Sequence, residues 1–219
     1  MDKNAKDIYG ILTGAGMSRA GALGMLGNMM AESGLVPNIA QRGMTKLSDT
    51  QYTAAADNGL IDFAHDAVGY GLCQWTYHTR KAALLAYSKQ CGVSVGNLKM
   101  QCDFCVKELK EDYPVLWDIL RTSDDINQCS DLICTQFERP AVNNLITRRN
   151  FAQETAKEIP EKYTSPKTDP VQATFPADPS VWAIQLVMQY NGYWDRPNGH
   201  KSKEFFSKLR EFITDMESC

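Results

Sequence analysis

The stretch Gly27–Asn38, "GNMMAESGLVPN", carries a single acid, Glu32, at the end of an apolar run and directly before Ser33 and Gly34. Met29, Met30 and Ala31 set apolar atoms around it, and burial disfavours the charged form of a carboxyl. The last turn of a helix, its negative end, disfavours that form too. A carboxyl that keeps its proton near neutral pH can protonate the leaving oxygen of a glycosidic bond. The bland alternative is a solvated acid at a helix end, because perturbed acids also serve structure. A second stretch, "VGYGLCQWTYHTRK" at Val68–Lys81, offers the matching binding chemistry. Its glycines permit tight turns, Gln74 brings both a donor and an acceptor, and Tyr70, Trp75 and Tyr77 present flat faces suited to sugar rings or to a core. Glycosidic cleavage usually employs a second carboxylate. The candidates are Asp57, Asp62, Asp66 and Glu138. Asp66, three residues before "GYG", either lines the same cleft or caps a turn; Asp57 in "DNG" reads as a turn residue.

These residues need elements to position them. The pattern predicts helices over about 3–13, 18–33, 77–90, 97–111, 115–121, 124–137 and 144–159. Ser18 is the expected N-cap of the second helix and Gly34 its left-handed stop. Gly21, Gly24 and Gly27 recur every three residues inside that helix, a costly choice that implies another backbone packed close to that face. Residues 36–68 are polar, turn-rich and without helical period, which predicts a small irregular or β-hairpin lobe with "DNG" at its turn. Pro166, Pro170 and Pro176 mark 161–177 as a linker. Asp178 and Pro179 then open a helical pair over 178–219, in which Trp182 and Trp194 serve either as core or as sugar platforms. The pair either caps the preceding domain or, as its faint resemblance to the helical peptidoglycan-binding repeat implies, forms a small wall-binding element.

The chain has 219 residues, 22% of them charged, and a net charge of −3 without a Lys/Arg run, so neither nucleic acid nor an anionic membrane is an expected partner. No apolar run reaches membrane-spanning length, and "MDKNAKDIYG" lacks the pattern of a signal peptide, so synthesis in a cytoplasm is expected. Seven cysteines include one Cys102-x2-Cys105 pair within a predicted helix. With His65, His78 and His200 scattered, reduced and mostly buried thiols are expected rather than zinc, and no cofactor is called for.

"AESGLVPN" followed by "GYGLCQWT" resembles the lysozyme-like superfamily that degrades peptidoglycan, with Glu32-Ser33 and Gly71-Leu72-Cys73-Gln74 at the family's E-S and G-L-M-Q elements and Cys73 where Met is usual. The phage tail lysozyme family is the closer resemblance: Gly24, Gly27-Asn28, Glu32-Ser33-Gly34, Asp66, Gly69-Tyr70-Gly71, Gln74-Trp75 and Phe137-Glu138-Arg139-Pro140 follow its motifs in order over roughly 5–160. The resemblance implies a mainly α (α+β) lysozyme-like domain over 1–160 and cleavage of the β-1,4 bond between N-acetylmuramic acid and N-acetylglucosamine. It implies Glu32 as general acid and Gln74 and Tyr70 as substrate-cleft residues; Ser33, Trp75 and Glu138 are further cleft candidates, and Asp66, by its place before "GYG", is the candidate second carboxylate. Glu138 alternatively holds the fold through Arg139 or a backbone N–H. A lytic transglycosylase needs only one acid/base, and a non-catalytic glycan-binding or structural tail module would keep the fold alone. Peptidoglycan is the implied partner, beside other phage tail or lysis proteins, with delivery to the wall by a virion or at lysis.

Overall fold

A computed structural model describes residues 3–159. The expected linker and C-terminal helical pair lie outside the described residues. Within them the chain is mainly helical, as the resemblance implies: α1 (Lys3–Gly14), α2 (Arg19–Ser33), α3 (Asp49–Asp57), α4 (His78–Gln90), α5 (Leu98–Asp112), α6 (Pro114–Thr122), α7 (Ile126–Leu132), a π-helical turn at Ile133–Glu138, and α8 (Leu145–Glu158). β-structure among the described residues is confined to isolated bridges joining Ala40 to Tyr70 and Tyr70 to Trp75. No described helix is long and apolar enough to cross a membrane.

α2 is the axis of the domain. Ser18 caps it by accepting from the Gly21 N–H at 2.9 Å. Gly34 ends it at φ 60°, its N–H returning to the Met30 carbonyl at 3.0 Å. Leu23, Met25, Leu26 and Met29 are buried within the core. The glycine stripe explains how three helices reach it. A Cβ on Gly21 would meet the Leu120 carbonyl of α6, one on Gly24 would lie 2.8 Å from the Ser130 nitrogen of α7, and one on Gly27 would meet the Arg148 carbonyl of α8. Each obstacle is backbone and cannot rotate away. Gly27→Ala should therefore cost about 1–3 kcal/mol, the usual range for overpacking, despite the better helix propensity of alanine. For a domain of this size that lowers Tm by roughly 3–10 °C in a thermal melt; a variant as stable as wild type would show that the helices can move apart.

The lobe at 36–68 takes the irregular form, built around α3 instead of a hairpin. "DNG" is a helix stop and not a strand turn: Asn58 caps the end of α3 and Gly59 follows at φ 67°. The reason sits at the other end, in "SDTQ". Ser48 Oγ accepts from the Gln51 N–H at 3.3 Å, and Gln51 Oε1 accepts from the Ser48 N–H at 3.0 Å, a reciprocal capping box that nucleates the helix.

Candidate functional site

α2 ends just past Glu32 because Gly34 can turn left-handed and Ser33 can anchor the helix end to a distant loop. The buried Ser33 hydroxyl lies 2.9 Å from the Met29 carbonyl and 3.0 Å from that of Leu72. It staples the end of α2 to the Gly71–Gln74 segment, so its place is between the two motifs and not on the cleft wall. Gln101, unremarkable in sequence, completes the brace. Its Oε1 accepts from the Leu72 N–H at 2.9 Å, while its Nε2 donates to the carbonyls of Pro37 at 2.6 Å and Val95 at 2.7 Å.

Glu32 opens onto a cleft of about 1230 Å³, lined by Gln41, His65, Gln74, Tyr77, Arg80 and Glu138 among others. Its side chain is 18% exposed, and its Oε1 accepts from Arg148 Nη2 at 2.5 Å. Arg148 itself is buried and comes from α8, 116 positions away; its Nη1 also donates to Asn28 Oδ1 at 3.0 Å. Asn28 Nδ2 in turn donates to the carbonyls of Gly24 at 2.9 Å and Ser130 at 3.0 Å. The close approach at Gly27 makes this arrangement possible. α8 touches α2 there by its Arg148 backbone, one residue before Asn28 and five before Glu32.

Glu138 reaches the same cleft from a different element. It is the last residue of the π-helical turn, and Arg139 follows at φ 48° with its N–H on the Cys134 carbonyl at 2.8 Å. Arg139 turns its guanidinium to Tyr113 Oη at 3.2 Å and not to Glu138. The Glu138 Oε1 is shut away from solvent without a hydrogen-bond partner. Burial, and then the charge of Glu32, push the Glu138 carboxyl up to about 8, against the opposing pull of Arg80 and Arg148. Arg80 is committed elsewhere: it grips Glu108 through Nε at 2.8 Å and Nη2 at 2.9 Å.

Four non-glycine residues among those described have positive φ: Leu35, Ala67, Gln74 and Arg139. The last three line the cleft, and such conformations cluster where a structure over-determines its functional walls. Gln74 spends its Nε2 on the Gly71 carbonyl at 3.1 Å and keeps its place on the wall.

The other residues singled out by sequence lie elsewhere. Asp66 is not on the cleft wall; it is ion-paired with Lys81, accepts from Tyr52 Oη at 2.5 Å and accepts from the Val68 N–H at 3.0 Å. Lys81 is fully buried, its remaining protons going to the Val68 carbonyl at 2.7 Å and Tyr52 Oη at 3.0 Å. Tyr70 is buried with its hydroxyl 2.7 Å from Thr53 Oγ1, and burial raises the phenol's value. Trp75 is buried, its indole N–H on Glu108 at 2.8 Å. Of the three aromatics whose flat faces suit sugar rings, Tyr77 reaches the cleft, 64% exposed. His78 and His65 extend it: the Tyr77 and His78 rings are 4.6 Å apart, and those of His78 and His65 are 5.8 Å apart and nearly parallel. In the sequence these histidines read only as possible metal ligands. Their placement three positions after Asp62 and within "TYHTR" is the one signal that ties them to the cleft motif.

The described cysteines are free thiols, with Cys73, Cys102, Cys105, Cys129 and Cys134 buried and Cys91 exposed. Among the described residues no group of three or more His, Cys, Asp or Glu could hold a metal ion. A family model described as phage tail lysozyme matches residues 3–159. The chain belongs to the phage tail lysozyme family. A comparison with curated proteins finds no match. The family match points to a lysozyme-like action on peptidoglycan. In this member of the family the shared motifs divide by task. Glu32, Gln74 and Glu138 face the cleft, whereas Asn28, Ser33, Tyr70 and Trp75 hold the walls in place.

Proposed function

We propose that this chain is a muramidase that hydrolyses the β-1,4 bond between N-acetylmuramic acid and N-acetylglucosamine, with Glu32 as general acid. The observation that carries this reading is the presentation of Glu32 on the wall of an open cleft of about 1230 Å³, beside Gln74 and an aromatic rim. That volume exceeds the roughly 300–1,000 Å³ of an ordinary small-molecule pocket and suits several sugars of a glycan strand. Tyr77 and His78 would stack on a sugar face, and Gln74 would bond hydroxyl or acetamido groups. Glu32 would give its proton to the bridging oxygen as the bond from that oxygen to C1 of the muramic acid breaks. Water would then add its oxygen to C1 and release a proton to a carboxylate of the site. Atoms and charge balance, and Glu32 regains its acid form.

Transglycosylation is a second reading with its own support. The Asp66 carboxylate is tied to Lys81, and Glu138, the other acid on the described cleft wall, keeps its Oε1 buried, so the wall offers no second carboxylate with both oxygens open to the substrate. In that chemistry the sugar's own C6 hydroxyl attacks C1. Digestion of purified cell wall separates the two. Hydrolysis should leave a reducing N-acetylmuramic acid end, and mass spectrometry of the products reads it directly. A 1,6-anhydro end, lighter by one water, would replace hydrolysis by transglycosylation. Intact wall at every pH, with binding retained, would favour a glycan-binding tail module. Delivery of the enzyme to the wall by a phage tail or at lysis belongs to the same proposal.

A further inference from the structure

The cleft holds two glutamates and an unequal supply of cations. Arg148 serves Glu32 and Asn28, and Arg80 serves Glu108 with two nitrogens. Glu138 reaches the same cleft with Oε1 sealed from solvent and from any hydrogen-bond partner. A carboxylate there would place charge on a buried oxygen that accepts no hydrogen bond, which favours keeping the group neutral. The charge of Glu32 across the cleft adds to this pressure on Glu138.

We propose that Glu138 is the partner with which Glu32 shares the single proton of the site, so that the carboxyl pair, and not Glu32 alone, holds the acid that bond cleavage consumes. This rests on the muramidase reading of the cleft and adds a positioning residue to it. In the resting site the proton is on Glu138, and Glu32 is ion-paired with Arg148. In the working site the proton is on Glu32 and the charge on Glu138, which the positive charges of Arg80 and Arg148 favour. The net charge of the pair is −1 in both. The groups that bear on Glu138 come from every element around it: Glu32 from α2, Cys73 from the loop before α4, Arg80 from α4, Glu108 from α5 through Arg80, Cys134 from its own turn and Arg148 from α8. The Cys73 and Cys134 thiols are pushed up by burial, and so add no charge near neutral pH. Glu138 therefore keeps its proton until pH reaches about 8.

The experiment uses the full chain. With ¹³C-carboxyl glutamate incorporated, wild type should show one glutamate carboxyl that titrates near pH 8, absent from Glu138→Gln. A wild-type spectrum in which every glutamate carboxyl has titrated by pH 6 overturns the proposal, and this arm does not depend on the variant folding. In the second arm, wall-cleavage rates are measured against pH, each profile scaled to its own maximum. Glu138→Gln removes the second proton-holding group, so the alkaline limb should move down by at least one pH unit. Glu138→Asp, which restores a carboxyl, should return it most of the way. A residue that only props the wall would lower the rate at every pH and leave the limb where it is, which would sink the idea. Stability supplies the third readout. Between the ordinary glutamate value of 4.5 and about 8, native Glu138 binds a proton that the unfolded chain has lost, so wild-type stability falls as pH rises through that window. The Tm of Glu138→Gln relative to wild type should rise between pH 4 and pH 8; a constant difference would count against the neutral carboxyl. The two readings fail separately. A wild-type protein with the titrating carboxyl that leaves peptidoglycan uncut at any pH refutes the muramidase assignment, whereas cleavage with an unshifted limb refutes proton sharing.

Discussion

Glu32→Gln should lower the rate of cell-wall cleavage by about 10²–10⁴-fold, the usual cost of removing a general acid. The amide has the size of the carboxyl and cannot give a proton to the leaving oxygen. The loss should appear in kcat, because the proposed stacking on Tyr77 and bonding to Gln74, both on the cleft wall, would be untouched and would contribute to ground-state binding. The structure adds a cost that is not apparent from the sequence. Arg148 is buried and relies on Glu32 and Asn28 for its bonds. The substituted amide can still accept from Arg148 through its oxygen, but without a compensating charge. A weakened bond to a charged group is worth about 1–3 kcal/mol, so the variant should melt a few degrees lower and still fold. Circular dichroism checks the fold, and release of reducing ends from purified wall checks the rate. A folded variant that cuts at the wild-type rate would remove Glu32 from the chemistry. The stability cost also predicts a partner effect: Arg148→Met should rescue part of the Tm lost in Glu32→Gln and none of the activity.

Local chemistry is legible in the chain; partnerships across it are not. The caps of α2 can be read from Ser18 and Gly34 because a cap is settled within a few residues. The glycine stripe announces a close approach, since no other role justifies three glycines on one helical face, but it cannot say which helices come. The lobe reads as turn-rich because Asp57, Asn58 and Gly59 form a turn signal in either setting; only the capping box at Ser48 and Gln51 distinguishes a helix stop from a hairpin. Tyr70 and Trp75 read as cleft candidates because aromatics in a loop without period have no readable face, and burial against Thr53 and Glu108 is decided by distant segments. The pairing of Arg148 with Glu32 bridges 116 positions, and nothing in "ITRRN" sets the first of its two arginines apart. Glu138 is legible as a cleft residue through its motif, while its occlusion depends on the π-helical turn that ends at it.

Asp66→Asn should unfold the protein more readily and leave the chemistry of the surviving folded molecules intact. From the sequence, Asp66 is the candidate for the second carboxylate, and the two roles predict opposite outcomes. In the fold, Asp66 is the counter-charge of Lys81, whose side chain is 0% exposed and whose ammonium is ringed by Tyr52, Phe63 and the Val68 carbonyl. Burial pulls the lysine's value down, and Asp66 is the first of the influences that hold it up. Removing one partner of such a pair leaves an uncompensated charge and typically costs about 3–5 kcal/mol. Aromatic faces offset a little of this, since the Lys81 Nζ lies 4.3 Å from the Phe63 ring centroid. Asp66 is partly exposed, and the asparagine of the variant can still accept from the Val68 N–H, so the lower half of that range is expected, or a fall of roughly 6–12 °C in Tm. Part of the loss should reverse at high pH, where Lys81 can fold uncharged: the Tm gap between variant and wild type should narrow from pH 7 to pH 10. Activity per folded molecule, measured well below the variant's melting point, should stay within about threefold of wild type. The contrary result is a variant as stable as wild type whose rate is down a hundredfold with its fold intact. That would return Asp66 to the reaction and require the substrate to draw it out of its pairing with Lys81.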